Sequence, residues 1–169
     1  MNTNTHLPTN VSTDEWLTTP MQKLIRFTLI VFLTACSAGA PTEFEKNRQT
    51  WRDSGITHYR FSLNIGCFCV FRNQMPIAVE VQNGEIISMT YPDGTLVAET
   101  DTNYEIFSKH ATIDRIFSEL EAGQSGDAEE VTVSYDSAHG LPSEIYFDYI
   151  KAAADDELSL TISNFEALK

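Results

Sequence analysis

Cys67 and Cys69 are the side chains of this 169-residue chain whose type and spacing best suit chemistry. They lie in the stretch NIGCFCVF, residues 64–71, and the third cysteine, Cys36, lies nearer the N-terminus. Two thiols separated by one residue can form a disulfide, exchange electrons with other thiols, bind a soft ion such as Cu(I), or stay reduced in a core.

The two cysteines continue a strand pattern. From Tyr59 to Phe71 the odd-numbered residues are apolar or cysteine, and the even-numbered residues from His58 to Asn64 are polar, which predicts a strand with one buried face. In an extended strand the Cα atoms of residues i and i+2 lie roughly 6.5–7 Å apart, at the upper limit for a disulfide. A slight bend, made easier by Gly66, would join Cys67 to Cys69, and we predict this structural disulfide on the inner face.

The alternatives depend on the surroundings of the pair. A redox pair needs solvent access and a nearby cation, whereas Ile65 and Phe71 share the predicted face and Arg60 and Arg72 fall on the other. A zinc site needs four ligands, and no histidine shares the strand face. A periplasmic thiol-disulfide protein and a buried reduced pair remain the alternatives to the structural disulfide.

Other reactive-looking clusters are better explained by local structure. Asp136, Ser137 and His139 crowd into one predicted turn, where a nucleophile, a base and an orienting group could not easily converge. The acidic runs 127–130 and 155–157 lack the ligand spacing of a calcium loop. We therefore assign no catalytic residue, no cofactor, no metal ligand and no small-molecule substrate.

Residues 21–36, MQKLIRFTLIVFLTAC, combine two basic residues, a short apolar run and a terminal Leu-Thr-Ala-Cys. This resembles the lipobox of bacterial lipoprotein signal peptides, in which the cysteine receives a diacylglyceryl thioether. The resemblance implies that residues 21–35 are a signal peptide and that Cys36 is lipidated and anchors the protein to a membrane. An ordinary secretory signal with a chance cysteine is the alternative.

The predicted domain organisation follows from this signal peptide. Residues 1–20 are a polar upstream over-extension or a disordered segment, because a signal peptide should begin near its basic residues, at Met21. Residues 36–42 form the lipidated tether, and residues 43–169 form a single α+β domain. Ser37, which is not Asp, favours in such signals an outer-membrane location facing the periplasm, where paired thiols are usually oxidised.

The net charge of −13 limits the possible partners. It is unchanged without residues 1–36, which hold as many acidic as basic side chains. The sequence contains no cluster of Lys and Arg that could bind nucleic acid, and the negative charge equally disfavours adsorption to anionic lipid.

Capping signals predict two helices. Thr42 with Glu45 has capping-box spacing and starts a helix over about 43–54. Thr102 with Glu105 offers a second box, followed by an amphipathic pattern that ends before Gly123. The apolar residues of that pattern are Ile113, Ile116, Phe117 and Leu120.

Alternating residues predict two hairpins and a last strand after the strand at 57–71. In the first hairpin a three-residue loop, 82–84, would pair Val79 with Ile87 and Ile77 with Met89. The second joins strands near 131–135 and 145–149, and the last strand covers about 158–162. The predicted fold is an α+β antiparallel sheet of about six strands with two helices on one face, in the order helix, three strands, helix, three strands.

These motifs together resemble one protein family. The lipobox, YRFS leading to CFC, PIAVEVQNGEI, TIDRIF and YDSAHGLPSEIYFD are similar to uncharacterised bacterial lipoproteins grouped as DUF6174, over about residues 44–165. The resemblance supports the fold and implies no known substrate, cofactor or catalytic residue.

The sequence therefore favours a non-catalytic binding module at the cell envelope over an enzyme. Phe68, Val70 and Tyr146 fall on the outward parity of their strands, where an exposed apolar patch could contact an envelope protein. A second packing layer or a covered strand edge would explain the same pattern. The functional alternative is thiol-disulfide exchange by Cys67 and Cys69.

Overall fold

Six antiparallel strands form one sheet in the computed structural model. They are β1 (His58–Gly66), β2 (Ile77–Gln82), β3 (Glu85–Thr90), β4 (Glu130–Tyr135), β5 (Pro142–Asp148) and β6 (Leu158–Ala167). Their order across the sheet is β3-β2-β1-β6-β5-β4, so β1 and β6 are the central pair. The predicted α+β class with six antiparallel strands is confirmed.

The structure describes Met1 and residues 40–150, 152–153 and 155–169. Residues 1–20, apart from Met1, the predicted signal peptide at 21–35 and the predicted lipidation site Cys36 lie outside these ranges, as does most of the tether at 36–42. In the described part, no helix is long and apolar enough to cross a membrane.

The first helix, α1 (Glu43–Asp53), starts as its capping box predicts. The Thr42 hydroxyl accepts a hydrogen bond from the Glu45 main-chain N–H at 3.2 Å, and the Glu45 carboxylate accepts one from the Thr42 N–H at 2.6 Å. Two first-turn donors are thereby satisfied, and the ring of Trp51 is carried into the core with 5% of its surface exposed.

The predicted second helix is in fact two helices, α2 (Tyr104–Lys109) and α3 (Ile113–Ala122). The expected cap at Thr102 is wrong, because Asn103 precedes α2 and makes no side-chain cap. Thr112 is instead the effective cap: its extended backbone breaks the helix, and its hydroxyl accepts a hydrogen bond from the Arg115 N–H at 3.1 Å. The amphipathic face of α3 was correctly predicted.

The helices cover one face of the sheet and share one core with it. Trp51 of α1 meets Tyr59 of β1 edge-on at 5.3 Å between ring centroids, and Phe44 meets Phe117 of α3 at 5.9 Å. The strand residues that face this core include Tyr59, Phe61, Leu63, Ile65, Val79, Ile145, Phe147 and Leu160, each at most 2% exposed.

The loop of the first hairpin differs from the prediction. Asn83 and Gly84 alone join β2 to β3, both at positive φ as a type I′ turn requires. A bulge at Ile87 then realigns the apolar residues of the two strands, so that Val79 pairs with Met89 and not with Ile87. Ile87 is 54% exposed and Met89 is 2% exposed, which shows that the bulge keeps the apolar face intact.

Gly140 provides a test of how the second hairpin packs on α1. Its φ is +73°, and a Cβ there would lie 2.6 Å from the main-chain oxygen of Asn47 and 2.8 Å from Cβ of Thr50. We expect Gly140→Ala to lower the free energy of unfolding by about 2–4 kcal/mol, the sum of backbone strain and overpacking. Urea denaturation measures the change.

Gly94→Ala is the matched control for this substitution. Gly94 also has a positive φ, +88°, but nothing lies within 4 Å of the added Cβ. It should cost only the backbone term, about 1 kcal/mol. Equal losses in the two variants would contradict the packing that we describe.

Candidate functional site

The cysteine pair lies beyond the end of β1 and not within it. β1 ends at Gly66, so the predicted strand over 57–71 is too long, and the chain bends through residues 67–70. The sulfur atoms of Cys67 and Cys69 are 1.95 Å apart and their Cα atoms 5.2 Å apart, as in a disulfide. We name residues 67–70 the disulfide tip.

The disulfide tip is fastened to the domain on both sides. On one side the Ser159 hydroxyl of β6 donates to the Gly66 carbonyl at 3.3 Å. On the other, Phe71 is 3% exposed and its ring meets Phe107 of α2 edge-on at 5.0 Å. The Arg72 N–H also donates to the Cys69 carbonyl at 3.3 Å. The bend is therefore held by packing and hydrogen bonds as well as by the disulfide.

The disulfide itself is partly buried, whereas its apolar neighbours are not. Cys67 and Cys69 pack against the edge of the core without being enclosed by it. Phe68 is 79% exposed and Val70 is 100% exposed. The disulfide predicted on the inner face therefore lies at the edge of the core and not within it, because β1 ends at Gly66, before both cysteines.

A shallow hollow of about 260 Å³ lies beside the disulfide tip. Cys67 and Phe68 form one side, and Tyr146 of β5, itself 38% exposed, lines the same hollow. Asp155 and Glu157 also line it, with Arg72 as its cation. Phe68 of the disulfide tip and Tyr146 of β5 therefore line the same hollow.

The two acidic runs converge on Asp148, at the end of β5. Glu130 pairs with Asp148 across β4 and β5, and the segment before β6 returns along the other side of β5. Partial burial and then neighbouring negative charges raise the pKa of Asp148 above its ordinary value. We name Glu130, Asp148, Asp155, Asp156 and Glu157 the acidic corner.

The acidic corner was not predicted from the sequence, in which residues 127–130 and 155–157 are expected to be separate solvated loops. The predicted hairpin brought the strands near 131–135 and 145–149 together without fixing their register, and the structure pairs Glu130 with Asp148. In the described ranges no group of three or more His, Cys, Asp or Glu side chains has the geometry to bind a metal ion.

A groove of about 810 Å³ runs along α2 and α3. Glu119 lines this groove, and its Oε2 lies 2.6 Å from Nδ1 of the buried His110, which is 4% exposed. Burial opposes ionisation of Glu119, but the hydrogen bond and charge of His110, with Lys109, outweigh it and lower its pKa. Ser108 and Ser118 both donate to main-chain carbonyls, so neither is activated as a nucleophile.

The Asp136–His139 turn is local structure, as the sequence suggests. Asp136 Oδ1 accepts hydrogen bonds from the main-chain N–H groups of Ala138 and His139, and it lies 2.9 Å from His139 Nδ1. Among the described contacts none joins the Ser137 hydroxyl to His139. The His139 ring packs against Phe165 at 4.9 Å, which fixes the turn on the core.

Comparison with known proteins gives one family. The model of a family of unknown function, DUF6174, matches residues 43–167. No curated protein matches the chain, and no solved structure matches it either.

The disulfide can be tested in a Cys36→Ser background, where only the pair could supply thiols. We expect no thiol labelling of the folded protein before reduction and two labelled positions after it. Cys67→Ser/Cys69→Ser should lower the free energy of unfolding by about 1–2 kcal/mol, as expected for so short a closed loop. Labelling without reductant would contradict the disulfide.

Proposed function

Because the chain belongs to the DUF6174 family of unknown function, we propose its function from its own sequence and geometry. We propose a lipid-anchored cell-envelope protein whose domain is a non-catalytic interaction module. Its contact surface is the disulfide tip together with Tyr146. The anchor is Cys36, and the domain faces the periplasm from the outer membrane.

The exposure of Phe68 and Val70 is the observation that carries the interaction role. Apolar side chains at 79% and 100% exposure are less favourable in water than when buried. A short loop that was free to move could fold back and bury them. Here the disulfide and the buried Phe71 hold the loop in place. A preorganised apolar projection loses little conformational entropy when it binds, which favours a binding role.

The anchor rests on the sequence of residues 21–36. Its basic flank, short apolar run and Leu-Thr-Ala-Cys ending support lipidation at Cys36. An envelope location also agrees with a disulfide, because paired thiols are oxidised in secreted and periplasmic proteins.

Thiol-disulfide exchange is the second candidate, and the position of Arg72 favours it. Arg72 lines the same hollow as Cys67, and a nearby cation stabilises a thiolate. The partial exposure of the pair would also admit another thiol. An insulin-reduction assay separates the two candidates. Activity of the wild-type protein that the Cys67→Ser/Cys69→Ser variant lacks would favour thiol-disulfide exchange.

Site-specific photocrosslinking tests the interaction module. We expect benzoylphenylalanine at position 68 to give discrete crosslinked products in intact cells of the source organism. The same group at Leu96, which is 65% exposed, is the control and should give none of these products. Identical products from both positions, or none from position 68, would overturn the proposed contact surface.

Cys36→Ser tests the anchor. The wild-type protein should partition with membranes and incorporate labelled palmitate, because acyl chains bury many CH₂ groups in the bilayer. We expect the variant to incorporate no label and to leave the membrane fraction. Cys67→Ser/Cys69→Ser is the control and should stay membrane-bound. An unlabelled wild type would favour an ordinary secretory signal.

A further inference from the structure

We propose that the disulfide tip binds a protein segment whose apolar side chains are flanked by Lys or Arg. This inference rests on the proposed interaction module and adds the chemistry of its partner. Two features that meet at one hollow carry it: Phe68 of the tip, and Asp155 and Glu157 of the acidic corner, which outnumber the single lining cation, Arg72.

The apolar part of the surface is formed by Phe68, Val70 and Tyr146. Phe68 and Tyr146 line one hollow, and Val70 follows Cys69 on the tip with its whole side chain in water. An aromatic group at the centre of a preformed surface is the usual anchor of a protein interface. The partner must therefore supply apolar side chains.

The charged part of the surface selects a cationic partner. Asp155 and Glu157 line the hollow. Burial of Tyr146 raises the pKa of its hydroxyl, and the negative charges of Glu157, Asp148 and Asp156 raise this pKa further. Within the described ranges no Lys or Arg forms a salt bridge with a carboxylate of the acidic corner. Lys or Arg groups at the edge of a bound segment would relieve this repulsion and steer its approach.

The same charges disfavour the other occupants of an apolar surface. A second copy would bring another net charge of −13 and a second acidic corner toward the first. A membrane rich in anionic lipid would be repelled in the same way. The observations therefore favour a cationic protein segment.

A synthetic peptide that repeats Leu-Lys-Lys-Leu is the probe, with a fluorophore for anisotropy measurements. The full chain carrying Cys36→Ser is used, so that neither lipid nor detergent competes for the peptide. We expect saturable binding that weakens as salt is raised. The peptide with Glu in place of Lys and the peptide with Ser in place of Leu should both fail to bind.

Two pairs of variants separate the apolar and charged contributions. Phe68→Ser/Val70→Ser should weaken binding about tenfold or more, whereas the exposed Leu96→Ser should not change it. Asp148→Asn/Glu157→Gln should weaken binding about threefold to tenfold and reduce its salt dependence. Glu85→Gln/Glu99→Gln removes the same charge from exposed positions elsewhere and should have no effect.

Several results would overturn the inference. The first is equal binding of the acidic peptide, and the second is peptide binding that the acidic-corner variant leaves unchanged. The third is adsorption of the protein to vesicles of anionic lipid. The fourth is a dimer, seen in sedimentation, that the Phe68→Ser/Val70→Ser substitutions dissociate. Circular dichroism confirms that each variant is folded. Crosslinking from position 68 together with charge-independent peptide binding would retain the interaction module and reject only the cationic partner.

Discussion

The side chain of Tyr59 connects the layers of this domain, and much of the fold depends on it. Its ring lies on the central strand β1, meets Trp51 of α1 at 5.3 Å and meets Phe165 of β6 at 5.7 Å. Its hydroxyl accepts a hydrogen bond from the Ile113 N–H at 3.2 Å, a first-turn donor of α3 that has no partner within the helix. Burial raises the pKa of Tyr59 to about 12, so the hydroxyl stays neutral at physiological pH.

The candidate site is an extension of the same strand. β1 is fixed by β2 on one side and β6 on the other, and the disulfide tip begins where β1 ends at Gly66. β6 approaches closely there, and a Cβ at residue 66 would require the Ser159 hydroxyl to rotate away from its hydrogen bond to the Gly66 carbonyl. A rigid strand thus positions a short braced loop, and this positioning allows Phe68 to stay in water. The proposed contact surface and the fold therefore depend on the same strand.

Periodicity predicts most of this architecture, and its failures have local physical causes. Period-two alternation identified the strands, and the Thr42–Glu45 box identified α1, because both are short-range effects. The bulge at Ile87 could not be predicted, since it serves a register that only the assembled sheet defines. The end of β1 was missed for a related reason. The odd-numbered alternation continues past Gly66 through Cys67 and Cys69, although pairing with β6 stops at Gly66. The acidic corner was missed because the predicted hairpin left its register open, and only the observed pairing sets Glu130 opposite Asp148.

The predicted tether adds a spatial constraint to the interaction role. If Cys36 carries the lipid, residues 36–42 are all that separate the membrane from α1. Seven residues span at most about 25 Å even when fully extended. The disulfide tip can then reach only partners that lie close to the membrane or span the space beside it. If the proposed partner chemistry also holds, the partners to search for are envelope proteins with a basic, partly apolar segment near the bilayer.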